Sequence, residues 1–316
     1  MFEQTAIKQF DIQYNNNKVY RNYCKILGFS HKKIISDKNY QLNKLPFLPV
    51  EFFKTHRVAF DAFSEKKIFI SSSTTGSIPS KHYIINLEVY EKSFIKGFEN
   101  FYGNISNYCI LGLLPSYLER SGSSLVYMVE KLINLSNNNL SGFFLSDFKK
   151  LSDTINLLEQ QQQPYILIGV SFALLDFAKY FNGEIKIGTI METGGMKGRG
   201  KEIIREELHH ILKKSFKVNH IHSEYGMTEL LSQAYLTNGD TYKIQPWMKV
   251  LVRDIDDPLN VRFTGKGAIN IIDLANLYSC SFIATSDLGE VFKDGNFRIT
   301  GRLDNSELRG CNLMVM

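Results

Sequence analysis

Ser71 to Lys81 reads SSSTTGSIPSK. Five hydroxyl residues in succession, Ser71, Ser72, Ser73, Thr74 and Thr75, run into Gly76, and Lys81 closes the stretch. Hydroxyls, backbone N–H groups released by a glycine, and an ammonium group can together grip a polyphosphate. The same composition also makes an ordinary surface turn, because Ser, Thr, Gly and Pro bend and cap backbone at little cost. A Walker loop is excluded: it places Lys and Ser/Thr directly after a second glycine, whereas Lys81 stands five residues beyond the single Gly76. Phosphate binding and a plain turn both remain open on these residues alone.

Other reactive side chains are sparse. The four cysteines, Cys24, Cys109, Cys280 and Cys311, include no CxxC pair, which argues against zinc and against a disulfide framework. Free thiols in a reducing, cytoplasmic setting are the expectation. His220 and His222, spaced H-x-H, read as one packed and one exposed strand residue rather than a metal site. His209 and His210 lie in a charged helical stretch and are expected to be solvated.

The elements that must position these residues alternate. The first forty or so residues read as helices, with VYRNYCKILGF at helical spacing. LNKLPFLPVEFF, with Pro46 and Pro49, reads as an extended connector. A strand at 66–70, the hydroxyl loop and a helix near 87–101 follow. NYCILGLL is a buried strand, and SSLVYMVEKLI is a helix capped by Ser123 or Ser124. The polar run Glu159 to Pro164, EQQQQP, reads as a surface loop. Then come YILIGV as a strand, SFALLDFAKYF as a helix capped by Ser171, IKIGTIM as a strand, EIIREELHHILKKSF as a helix and NHIHS as a strand. Strand–helix alternation predicts an α/β fold with mixed, largely parallel sheet flanked by helices. Ligands in such folds sit beyond the C-terminal ends of strands, where the loops 71–81, 192–200 and 224–229 fall. The last part, VLVRDI, GAINIIDL, CSFIAT and NFRIT, is a small β-rich subregion.

Bulk properties narrow the function. The 316 residues suit one large domain, and 44% hydrophobic residues suffice for a sizeable core. A net charge of +5 without a basic stripe argues against nucleic acid. No stretch is long and apolar enough to span a membrane, and MFEQTAIKQF lacks the apolar centre of a signal peptide.

SSSTTGSIPSK, ETGGMKG and SEYGMTE, in that order, resemble the adenylate-forming superfamily of acyl-CoA ligases, as do TSDLG and GRLDN further on. LLPSYLERSGSSLVYM, METGGMKGRGKEI, HSEYGMTELLSQAY and the ending RGCNLMV resemble the LuxE family of acyl-protein synthetases, and this likeness covers nearly the whole chain. The resemblance implies a single LuxE-like domain over 1–316, built as the large N-terminal domain of an adenylate-forming enzyme. It implies ATP and Mg²⁺, with Ser72, Ser73, Thr74, Thr75, Gly76 and Lys81 holding the β- and γ-phosphates. Gly194 and Gly195 would let backbone lie against the base, and Tyr225, followed by Gly226, would offer adenine a ring face. Thr228 would donate to the α-phosphate, Glu229 would hold Mg²⁺, Asp287 would accept the ribose hydroxyls, and Arg302 would supply a fixed charge. Phe172 and the 114–128 stretch would border the acid. Where the superfamily's phosphate loop usually has glycine, this chain has Ser73.

The superfamily's enzymes usually continue past the hinge into a lid carrying a catalytic lysine and the CoA tunnel. Here GRLDN, at 301–305, is followed by a short tail to Met316, so the resemblance implies that this C-terminal lid is absent. Cys311 in that tail then becomes the candidate acyl acceptor, with Arg309 favouring its thiolate. The expected function is activation of a fatty or other carboxylic acid to acyl-AMP, transfer to Cys311 as a thioester, and passage to a LuxC-type acyl reductase or an acyl carrier protein. The alternative is a lid-less acyl-CoA or acyl-carrier-protein ligase related to phenylacetate–CoA ligases.

Overall fold

The computed structural model describes residues 1–37, 39–72, 78–114, 122–194 and 203–303. They fall into two compact units, one made of Met1–Ser64 with Lys243–Met316 and the other of Glu65–Tyr242.

The first unit opens with three helices, α1 (Phe2–Asn16), α2 (Lys18–Ile26) and α3 (His31–Ser36). Asn17 caps α2 by accepting from the Tyr20 N–H, and Ser30 caps α3. The proline-bearing connector contains a two-residue strand, β1 (Leu48–Pro49), and a single helical turn, α4 (Phe52–Thr55).

The second unit holds the alternating part. Strands β2 (Lys67–Ile70) and β3 (Lys81–Ile84) form an antiparallel hairpin. Helix α5 (Leu87–Tyr102) starts at an Asn86 cap and stops at Gly103, whose φ of 77° suits glycine. Then follow β4 (Cys109–Leu113), α6 (Ser124–Ser136), β5 (Gly142–Phe143), α7 (Phe148–Gln161), β6 (Tyr165–Val170), α8 (Ser171–Tyr180), β7 (Gly188–Thr193), α9 (Arg205–Phe216), β8 (His222–Tyr225) and β9 (Ala234–Leu236). The sheet order is β5-β4-β6-β7-β8-β9, parallel except for β9. All of β4 and β6 is buried, as continuous apolar strands covered on both faces must be. Gly169 of β6 admits Leu174 of α8, which would stand 2.7 Å from a Cβ there.

The chain then returns to the first unit with β10 (Met248–Arg253), β11 (Val261–Arg262), β12 (Gly265–Asp273), β13 (Phe282–Val291) and β14 (Phe297–Arg302). The β-rich part is thus a full six-stranded sheet, ordered β1-β13-β12-β10-β11 with β14 also on β13. Helix α1 anchors it. Gln9 and Gln13, both buried, donate to the carbonyls of Leu274, Asn276 and Leu277 and to Ser281 Oγ, just ahead of β13. Phe10 and Tyr20 pack on Phe282 at its start.

Three local expectations are corrected. The hydroxyl run does not lead from a strand towards a helix; it joins β2 to β3, because KHYI alternates exposed Lys81, buried His82 and buried Ile84 in a strand of its own. The EQQQQP run is not all loop. Helix α7 continues through Gln161, because Glu159 turns inward to accept from Tyr165 Oη at 2.9 Å and the Lys186 and Ile187 N–H groups at 3.0 and 3.3 Å. Ser171 does not cap α8: the cap position is Val170, and the Ser171 hydroxyl is used elsewhere.

Candidate active site

In the second unit, two of the three loops meet. The neck of the hydroxyl loop is closed by Ile70 opposite Lys81, by Ser71 N–H donating to Ser80 O at 3.0 Å, and by Ser80 N–H donating to Ser71 Oγ at 2.8 Å. Ser72 and Lys81 are exposed there, and Ser73, Thr74, Thr75 and Gly76 lie outside the described residues. His82, one residue past Lys81, is fully buried and points the other way. Its Nδ1 lies 2.8 Å from the Thr228 carbonyl oxygen; a carbonyl only accepts, so Nδ1 carries the proton. The Thr228 carbonyl belongs to a tight turn closed by Leu230 N–H donating to Met227 O at 3.1 Å, with Thr228 and Glu229 as its central residues. Thr228 is half-buried and Glu229 buried.

The third loop leaves β7. Gly194 adopts φ +68° and is exposed, and its carbonyl accepts from Ser171 Oγ at 2.7 Å. The α8 serine therefore ties down this loop instead of capping its own helix. Gly195 lies outside the described residues.

Beneath these loops, β7 and β8 pair Glu192 with Ser223 and Thr193 with Glu224. Thr193 Oγ1 donates to Glu224 Oε2. Burial, opposed by this hydrogen bond and reinforced by the nearby Glu192 charge, pushes the Glu224 carboxyl up to about 7. Glu192 faces the Arg205 guanidinium instead, with Nε at 3.8 Å, and the His209 imidazole, with Nε2 at 3.6 Å. His209 is buried, 3.2 Å from Ser223 Oγ, which corrects the expectation of a solvated side chain; His210 is exposed as expected. Tyr225 ends β8 in a buried position, its ring centroid 5.7 Å from that of Tyr242, and Arg205 lies over the Tyr242 ring. Gly226 follows because a Cβ there would stand 2.4 Å from Glu224 Oε1. Of the H-x-H pair, His220 is exposed and His222 half-buried, with Nδ1 3.0 Å from Tyr102 Oη and its proton affinity lowered to about 4, chiefly by burial. Phe172 is buried on α8.

The first unit carries Asp287 and Arg302. Residues 287 and 302 are paired across β13 and β14, and Arg302 Nε stands 3.2 Å from Asp287 Oδ1. Asp287 is buried, whereas the Arg302 side chain is 75% exposed. Behind them Arg253 of β10 is buried and donates to the carbonyls of Ile269 and Thr285 and to Asn270 Oδ1, at 2.9, 2.6 and 2.8 Å. It spans the irregularity between Ala268 and Asn270 in the pairing of β12 with β13. Thr285 Oγ1 in turn accepts from Asp287 N–H at 3.2 Å.

Cys311 lies outside the described residues. The other three cysteines are buried, and burial raises the thiol of Cys24 to about 12, that of Cys109 to about 11, and that of Cys280 further still. None of the three is an available thiolate near neutral pH.

Sequence reasoning missed His82, Glu192, Glu224 and Arg253, and gave Ser171 a different task. A signal existed for two of them: Glu192 and Glu224 stand at equivalent places, just ahead of ETGG's glycines and of YG, where two neighbouring parallel strands end.

The family model described as "Acyl-protein synthetase, LuxE" matches residues 1–316. No curated protein matches significantly. Among solved structures, ATP-bound MatB from Rhodopseudomonas palustris aligns with a TM-score of 0.54 at 18% identity, over 74% of this chain and 47% of that one. The N-terminal domain of FACL13 from Mycobacterium tuberculosis, solved with an inhibitor, aligns at 0.51 and 16%, over 78% and 63%. The amide bond synthetase McbA from Marinactinospora thermotolerans aligns at 0.50 and 14%, over 75% and 49%. These likenesses establish a shared fold, that of the N-terminal part of adenylate-forming enzymes, and the chain spans about half to under two thirds of the solved chains it matches.

Proposed function

The chain belongs to the LuxE family of acyl-protein synthetases, and from that premise we propose that it uses ATP to activate a carboxylic acid, of the fatty acid class, and passes the acyl group to a thiol. The observation that supports this most, beside the family, is the convergence of the hydroxyl hairpin and the Thr228–Glu229 turn through His82.

In this reading a carboxylate oxygen of the acid attacks the α-phosphorus of ATP, the bond to the β-phosphate bridging oxygen breaks, and pyrophosphate leaves. The difficulty is electrostatic, since two anions must approach. The hydroxyl loop and Lys81 hold the outgoing phosphates, and Thr228 Oγ1 donates to the α-phosphate. The donor set suits Mg²⁺, which takes hard oxygen ligands and is commonly held by one or two carboxylates together with substrate phosphates. Glu229 would hold it, and the ion would supply neutralising charge. Tyr225, with the loop at Gly194 and Gly195, flanks the adenine, Asp287 accepts from the ribose hydroxyls, and Arg302 supplies a fixed charge beside it.

Transfer follows when a thiolate attacks the acyl carbon and AMP leaves. Burial of Cys24, Cys109 and Cys280 leaves Cys311 as the cysteine to consider. The acyl group then goes on to a partner, an acyl reductase of LuxC type or an acyl carrier protein. Incubation with ATP and labelled acid should leave label on the chain that neutral hydroxylamine releases. Cys311→Ser should keep ATP–pyrophosphate exchange and lose that label. Label persisting in Cys311→Ser, or acylated CoA formed while the chain stays unlabelled, would replace this transfer step with the soluble-thiol ligase.

A further inference from the structure

We infer that His82 is a positioning residue that locks the peptide joining Thr228 to Glu229, so that the α-phosphate donor and the metal carboxylate are held in one orientation and in register with the phosphate hairpin. The inference rests on the proposed adenylation for its kinetic consequence, though not for its structural one.

Thr228 and Glu229 are the two central residues between Met227 and Leu230, whose backbone bond closes the turn at 3.1 Å. The central peptide of such a turn can flip, exchanging the directions of its C=O and N–H, at the cost of a positive φ at its second central residue, here Glu229. The Thr228 carbonyl is the oxygen of that central peptide. His82 Nδ1–H holds it at 2.8 Å from a fully buried position. Flipping the peptide would break this bond and leave a buried donor without that acceptor, a loss the folded protein resists. The orientation of the two side chains on either side of the peptide is therefore set from β3.

His82 is also rigidly placed. It sits opposite Phe69 in the β2–β3 register, one residue beyond Lys81, which faces solvent on the other side of the strand. The neck of the hydroxyl loop and the histidine that clamps the turn are thus consecutive residues of one four-residue strand. A displacement of the hairpin carries the turn with it. This coupling suits a reaction in which the leaving phosphates and the attacked phosphorus must keep a fixed geometry, where misplacement by about 1 Å costs on the order of 10²-fold in rate.

The imidazole geometry supplies the test. An Asn amide nitrogen can occupy the place of Nδ1 and donate to the same carbonyl, whereas Leu fills the space without a donor. In steady-state exchange, His82→Leu should lower kcat by about 10²-fold with the KM for ATP changed by less than about threefold, because the lost interaction orients groups acting at the transition state. His82→Asn should recover most of kcat. Independently of any activity, amide hydrogen exchange of the segment 226–231 should quicken in His82→Leu and return towards the wild-type rate in His82→Asn, with thermal melts showing both variants folded. Equal protection of that segment in wild type and His82→Leu overturns the clamp, and so does a His82→Leu enzyme with unchanged kcat. A wild-type chain with no pyrophosphate exchange on any acid overturns the adenylation reading instead, and the hydrogen-exchange comparison still decides the clamp.

Discussion

Glu224→Gln should make the protein more stable at neutral and alkaline pH. Glu224 is buried at the end of β8, its carboxyl raised from the ordinary 4.5 to about 7 by burial first and the Glu192 charge second. Below pH 4.5 the group is neutral both folded and unfolded and costs nothing. Between 4.5 and 7 the unfolded chain releases the proton while the folded chain keeps it, so this group's contribution falls as pH rises. Above 7 the folded protein carries the full penalty of a buried carboxylate. The span of about 2.5 pH corresponds to about 3 kcal/mol at about 1.4 kcal/mol per tenfold step in proton affinity. Gln keeps the shape beside Gly226 and keeps an oxygen to accept from Thr193, but it never ionises. The assay is urea denaturation of wild type and variant from pH 4 to pH 8.5, followed by circular dichroism because the single tryptophan, Trp247, lies in the other unit. The two should have nearly equal stability at the acid end and diverge through the window, with the variant ahead by about 3 kcal/mol at the alkaline end. A difference that stays constant across the range would refute the assignment of a protonated Glu224.

Two further perturbations test the first unit. Asp287→Ala should weaken ATP binding by about 1–3 kcal/mol, the range for stranding a polar partner, as read by calorimetry. It should shift folding stability by less than about 1 kcal/mol, because Arg302 is largely exposed and such pairs contribute little; unchanged affinity would move the nucleotide elsewhere. Arg253→Met should cost about 2–4 kcal/mol of stability, since it leaves buried neutral acceptors without their charged donor. A melt within about 1 kcal/mol of wild type would show that Arg253 does not hold β12 to β13.

How legible the molecule is from its sequence follows from how local each feature is. YILIGV signals a buried parallel strand because all six positions are apolar, and Ser123 caps α6 by the ordinary serine rule, accepting from Val126 N–H. The family motifs carry the loops because backbone geometry there needs particular types, as at Gly226 against Glu224. Strand β3 escapes because KHYI is short and half polar, and the polarity belongs to two different jobs, Lys81 outward and His82 inward. The end of α7 escapes because a glutamine-rich run gives no periodicity, while the decisive contacts of Glu159 are made 6, 27 and 28 residues away. Arg253 hides in VLVRDI because a charged residue in a strand reads as solvent-facing. Its acceptors, at Ile269, Asn270 and Thr285, exist only once β12 and β13 have formed. Ser171 shows the same lesson at the site itself: the local rule assigns it to its own helix, and the fold spends its hydroxyl on Gly194.

The most direct test of the account is acid-dependent ATP–pyrophosphate exchange by the purified wild-type chain, run across a panel of carboxylic acids of graded chain length with and without Mg²⁺. The account predicts exchange that requires both Mg²⁺ and an acid, that favours fatty acids, and that Glu229→Gln depresses by about 10²-fold or more while the variant stays folded. Absence of exchange with every acid, or undiminished exchange in folded Glu229→Gln, would contradict it.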